Sequence, residues 1–217
     1  MRRVHATTSA LAVAVVALSA SYVSAEEFTA KLSGFNEIGS IPTSVTVPAL
    51  STPTPTGYTG AILTEATGTL SLKLSKDHFD YTLTYTGPFT SDVQQAHIHF
   101  GKSRDSGGIV VWLCQTTAKR APASVDAITP PCGMNLTPVT PGPGVTVKVT
   151  GTITAANVLA VPGQNVPAGV FDAIAEALTS HTAYVNIHTA NFAGGEIRGQ
   201  VRGEDREDRD DHHDHHH

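Results

Sequence analysis

Basic charge is scarce in this chain of 217 residues: fourteen Lys and Arg stand against nineteen Asp and Glu, the formal net charge is −5, and no stretch gathers a cationic cluster. Phosphate-backbone recognition needs a concentrated basic surface, so nucleic acid is excluded as a partner. Cysteine is confined to Cys114 and Cys132. No recognisable nucleophile motif surrounds either, no Ser/His/Asp elbow occurs, and the glycine-rich pieces do not form a phosphate loop. Paired carboxylates placed for acid–base work are also missing, which leaves no catalytic constellation to name. Past the first 25 residues no apolar run is long enough to span a bilayer.

What is abundant points to strands. Hydrophobic residues make up 40 % and charged ones 15 %, with 19 Gly and 13 Pro among recurrent Thr and Val. That mixture builds a packed globule of short strands and turns. The N-terminus carries Arg2 and Arg3, an apolar run from Ala10 to Ala20, and the small-residue site Val23-Ser24-Ala25. This is the pattern of a secretory signal peptide over residues 1–25, removed near Ala25, and it places the mature chain outside the cell or in the periplasm. In such a compartment Cys114 and Cys132 are expected to form a disulfide that closes a loop of about 18 residues and adds roughly 3 kcal/mol. At the other end, residues 204–217 (Glu204 to His217) hold acidic groups and five histidines with nothing to bury, a solvated tail able to hold a borderline divalent ion weakly.

Between these ends, residues 26–203 read as one domain. Alternating runs predict strands at Phe28–Leu32, Thr67–Leu74, Phe79–Thr86, Val93–Phe100, Val145–Ile153, Ala183–Thr189 and Glu196–Val201. Ile109–Cys114 is apolar on both faces, as expected of a strand in the middle of a core. Four prolines between residues 40 and 58 mark an irregular connection. Gln115–Gly144 is a long loop pinned by the disulfide. Val170, Phe171, Ile174 and Leu178 fall at helical spacing, which predicts one short capping α-helix over about 167–180. The expected fold is all-β: an antiparallel, Greek-key-like β-sandwich.

Two stretches carry the functional signal, Ala96-His97-Ile98-His99-Phe100-Gly101 and Tyr184-Val185-Asn186-Ile187-His188-Thr189. Strand alternation puts His97 and His99 on one face, and Tyr184, Asn186 and His188 on one face. If the strands are neighbours, three imidazoles converge. Such a set suits copper or zinc, with a fourth position left to water. The competing reading is that the three rings hydrogen-bond backbone and hydroxyl groups and tie a sheet end together. His78 and His181 stand alone and read as surface or cap residues. Glu196 and Arg198, two apart on one face, suggest an ion pair or a cross-strand network.

With Leu32-Ser33-Gly34, Asn36-Glu37, Gly108-Ile109-Val110-Val111-Trp112-Leu113, Gly151-Thr152-Ile153-Thr154 and Gly194-Gly195-Glu196-Ile197-Arg198-Gly199-Gln200-Val201, these motifs resemble the CHRD domain, a module named after chordin and common in secreted bacterial proteins. The resemblance runs from about Phe28 to Val201, with a Pro/Ser/Thr insertion after Asn36-Glu37 as its departure. It implies a secreted β-rich module without an established enzyme activity, whose partner would be an extracellular protein or surface ligand. A more distant likeness joins His97-Ile98-His99, Gly101, His188 and Arg198 to copper/zinc superoxide dismutases. That likeness implies copper at His97, His99 and His188. Residues 101–180 contain no histidine, so the bridging ligand and zinc site of those enzymes have no counterpart.

Overall fold

The computed structural model describes residues 26–38 and 60–203. The expected leader, the proline-bearing connection of residues 40–58 and the histidine-rich tail lie outside the described residues. Alternating burial builds one half of the molecule. In β1 (Glu27–Ser33) Phe28, Ala30 and Leu32 point inward, and in β2 (Thr67–Leu74) Leu70 and Leu72 do so. β3 (Phe79–Thr86) contributes Phe79, Tyr81, Leu83 and Tyr85, and β6 (Thr146–Ile153) contributes Val149 and Ile153. These four strands pair antiparallel, with Leu70 opposite both Ala30 and Leu83. The other half holds β4 (Val93–Phe100), β5 (Gly108–Cys114), β7 (Ala183–Thr189) and β8 (Ile197–Gln200).

The strand order is β5-β4-β7-β8-β1-β2-β3-β6, with the two-residue β9 (Arg202–Gly203) paired to β1. A single residue pair, Ser33 with Arg198, joins β8 to β1. The sheet folds at that narrow seam, and side chains from both halves enter one continuous core. The result is an all-β, sandwich-like near-barrel with a crossover from β3 to β4 and back from β5 to β6. Among the described residues no helix is long and apolar enough to cross a membrane.

The one α-helix, α1 (Phe171–Thr179), buries Ile174, Ala177 and Leu178, and its Phe171 ring lies 5.1 Å from that of Phe79. It starts four residues later than the pattern suggests. Gly169 sits at φ +77, a left-handed conformation that helical backbone does not allow, so the chain turns before winding. His181, at φ +57, closes the far end. β5 lies in the core as expected, with Val110, Val111, Leu113 and Cys114 buried, although it ends the hydrogen-bonded path. Its two apolar faces have different uses, since Val111 and Leu113 enter the core while Trp112 faces His97. Leu159 N–H covers part of its free edge by donating to Val110 O at 2.9 Å.

Cys114 and Cys132 are bonded to each other, as expected. Inside the loop the Gln115 amide donates to Asp126 O (2.8 Å) and Thr129 O (2.7 Å) and accepts from Ala121 N (2.9 Å). Beyond Cys132 the chain runs along the start of β4, where Val93 N donates to Val139 O at 2.8 Å. The long loop therefore lies at the opposite end of β4 from the Gly101–Gly107 turn.

Glu196 is fully buried and its partners are not cations. Oε1 accepts from Thr64 Oγ1 (2.8 Å) and Thr90 N (3.0 Å), and Oε2 accepts from Thr90 Oγ1 and Thr189 Oγ1, both at 2.7 Å. Four donors satisfy the carboxylate and knit three segments distant in sequence. No Glu196–Arg198 ion pair forms; Arg198 is bound elsewhere.

Two outcomes test these ties. Replacing Cys114 and Cys132 by Ser should lower unfolding free energy by about 3 kcal/mol, read from urea denaturation against wild type. Glu196→Ala strands three threonine hydroxyls and should cost about 3–5 kcal/mol; a loss under about 1 kcal/mol would show that water replaces the carboxylate there.

Candidate metal centre

The site is built across three strands. In the β4–β7 ladder His97 faces Asn186, His99 faces Tyr184 and Gln95 faces His188. In the β4–β5 ladder His97 faces Trp112, and the register shifts both before His97 and before His99. Irregularities of this kind twist a strand locally and re-aim its side chains. Ala96 and Ile98 go to the core, so both histidines point to the other face, where they are nevertheless buried.

One ring nitrogen from each of His97, His99 and His188 lies within 4.8 Å of one from each of the others. The expected convergence is real. His99 Nδ1 lies 2.9 Å from Gly107 O, and His188 Nδ1 lies 2.9 Å from Ala193 O. A carbonyl only accepts, so both Nδ1 atoms carry the proton and both Nε2 atoms present a lone pair. His97 Nδ1 stands 3.1 Å from His188 Nε2, to which it donates; the same nitrogen is 2.8 Å from Asn186 Oδ1, a contact that becomes a hydrogen bond with the amide turned so that Nδ2 donates. The Nε2 atoms of His97 and His99 are buried with no hydrogen-bond partner. Leaving such a nitrogen dry costs about 1–3 kcal/mol, and two in one place is unusual.

Burial dominates the electrostatics. It holds His97 well below the ordinary imidazole range, helped by the neighbouring His188 and His99. It pulls His99 and His188 down to about 4 each, against the opposing pull of the Gly107 carbonyl and the Asn186 side chain on His99 and of the Ala193 carbonyl on His188. All three rings are therefore neutral at pH 7, the state that ligates metals. Ring nitrogens bind copper or zinc at about 2.0–2.1 Å, so two that share an ion stand at most about 4.2 Å apart. His97 Nδ1 and His188 Nε2, 3.1 Å apart, fall within that limit, and the set as a whole spans up to 4.8 Å. The donor set fits a borderline divalent ion.

Around the rings lies a second layer. The His97 ring is 4.2 Å from Trp112, and His99 stacks on Tyr184 at 4.6 Å with planes 6° apart. Arg198 lies over the Tyr184 ring at 3.3 Å and donates to Lys102 O and Asp105 O, both at 2.9 Å. Gly107 N donates to Tyr184 Oη at 3.2 Å. His99, Tyr184 and Arg198 thus pin the Gly101–Gly107 turn to the site. Gly195, at φ +127, passes so close to Glu37 that a Cβ there would sit 2.2 Å from Oε2. The partner carbonyls of Gly107 and Ala193 left no sequence signal, because any residue supplies a carbonyl. Trp112 was hidden inside an apolar run; only cross-strand register reveals that it faces His97. His78 stays apart, beside Asp77 and Asp80, and the Asp77 contact raises its pKa.

The depressed pKa values set a direction for metal-free protein. Between pH 6.5 and about 4 the unfolded chain takes up protons on these rings that the folded chain refuses. Stability should therefore fall as pH drops through that window. Urea midpoints at pH 7 and pH 4.5 measure it, and His97→Gln or His188→Gln should flatten the slope; equal midpoints in wild type would contradict it.

The sequence as a whole was compared with known proteins. No curated protein matches it. The family model described as CHRD domain matches residues 28–201, which takes in β1 from its second residue, every strand from β2 to β8, α1 and all three histidines. The chain belongs to the CHRD-domain family.

Proposed function

We propose that this protein is an exported, non-catalytic binding module whose rigid β-sandwich holds one copper or zinc ion through His97, His99 and His188. The observation that carries the reading is the combination of buried, neutral, converging imidazoles, two of them oriented by backbone carbonyls, with unpartnered ring nitrogens left over. A role as strand ties explains the Nδ1 contacts of His99 and His188. It does not explain why Nε2 of His97 and of His99 are buried without a partner. Carbonyl–histidine pairs are the usual outer support of a metal ligand, fixing tautomer and ring angle. A bound ion would supply positive charge and Lewis acidity; the chain's own groups keep the rings neutral, exclude water and fix their direction. Export rests on the leader pattern of residues 1–25 and agrees with the disulfide.

The alternative is copper-linked redox chemistry, favoured by the order His97, His99, His188, Arg198 shared with copper/zinc superoxide dismutases. Among the described residues no second ligand cluster accompanies the first. Bound copper that cycles between its two oxidation states with ascorbate and oxygen would favour this alternative; copper that stays in one state would favour the plain binding module.

Trp112 is the only tryptophan, and it packs on His97. In protein whose five tail histidines (His212, His213, His215, His216 and His217) are replaced by Ala, copper(II) should quench its fluorescence with a one-to-one endpoint. His97→Ala and His188→Ala should each weaken the affinity by at least about tenfold. An unquenched body, metal-free after copper loading and dialysis, would overturn the metal site.

A further inference from the structure

Beside the histidine centre lies a groove of about 700 Å³ that the metal reading does not use. Lys31, Arg104, Arg198 and Arg202 line it, together with Asn36, Ser103 and Gln200; no carboxylate lines it, although Glu37 and Asp105 already favour the charge of Arg198, so the cations left for a guest are Lys31, Arg104 and Arg202. The imbalance is local. Between residues 26 and 203 the described chain holds more carboxylates than cations, yet three of its four arginines meet here. The arginines come from separate places: Arg104 from the Gly101–Gly107 turn, Arg198 from β8 and Arg202 from β9. Lys31 comes from β1, the strand to which β9 pairs.

Holding like charges together is unfavourable unless an anion or solvent screens them. The side chains differ in freedom. Arg198 is 2 % exposed and fixed by two carbonyls and the Tyr184 ring, which makes it a rigid floor. Arg104, Arg202 and Lys31 are exposed and can close on a guest. Phe35 adds an apolar wall, and its ring is 70 % exposed. Volume, several cations and one bare ring describe a ligand larger than an inorganic ion.

We propose that this groove binds a multivalent organic anion, two or more carboxylate, phosphate or sulfate groups on an apolar or ring-bearing body, with Arg104, Arg202 and Lys31 holding its acidic groups and Phe35 its body. The site needs no metal and stands or falls separately from the histidine centre. The groove does touch that centre, because Arg198 lies on Tyr184 and Tyr184 stacks on His99.

Calorimetry on the metal-free protein at low ionic strength tests this with three probes: inorganic phosphate, citrate and benzene-1,3,5-tricarboxylate. The aromatic tricarboxylate should bind at one site, tighter than citrate of the same charge and much tighter than phosphate. Arg104→Glu and Arg202→Glu should each weaken it by at least about tenfold, while Lys119→Glu, outside the groove, should leave it unchanged. Phe35→Ala should remove the preference over citrate and keep the charge dependence. Absence of saturable binding, equal affinity for phosphate and the aromatic probe, or indifference to both arginine reversals would each overturn the proposal.

Discussion

Desolvation of three imidazoles is the constraint on which the rest of the site depends. Protonated together in one buried spot, His97, His99 and His188 would repel one another in a medium that screens poorly. Burial resolves this by keeping them neutral, and neutrality leaves lone pairs that need direction. The Gly107 and Ala193 carbonyls supply it for two rings. The Gly101–Gly107 turn must then stay in place, and Arg198, a buried cation, donates two hydrogen bonds to carbonyls of that turn while Glu37 and Asp105 favour its charge.

The two halves of the fold divide the labour. The β1-β2-β3-β6 half is regular, with ladders in unbroken register, and forms most of the core wall. The half that carries the histidines is irregular: β4 shifts register against both of its neighbours, and β7 is buried on both faces. A strand buried on both faces must spend polar side chains on specific partners. Tyr184, Asn186, His188 and Thr189 each have one, in Arg198, the histidine cluster, Ala193 O and Glu196.

Much of this was legible before any coordinates. Period-two alternation located seven strands to within about two residues and assigned the faces of His97, His99 and His188, because alternation is a local property of extended chain. Export context gave the disulfide. Other features were invisible for equally physical reasons. Nothing in Ile109–Cys114 says that the strand ends the sheet, since apolar faces can be covered by a loop or a tryptophan–histidine contact as well as by a strand. The helix was read as starting four residues too early because spacing does not report that Gly169 turns the chain. The partners of Glu196, and the gathering of Lys31, Arg104, Arg198 and Arg202, depend on contacts between segments up to about 170 residues apart, which no pattern along one segment encodes.

The central claim is that the three histidines are ligands and not strand ties. A crystal of the protein soaked in copper and measured at the copper absorption edge tests it most directly. The account predicts one strong anomalous peak bounded by His97, His99 and His188, about 2.0–2.1 Å from one nitrogen of each. A map with no peak there, and with His97 Nε2 and His99 Nε2 hydrogen-bonded to ordered water instead, would contradict it.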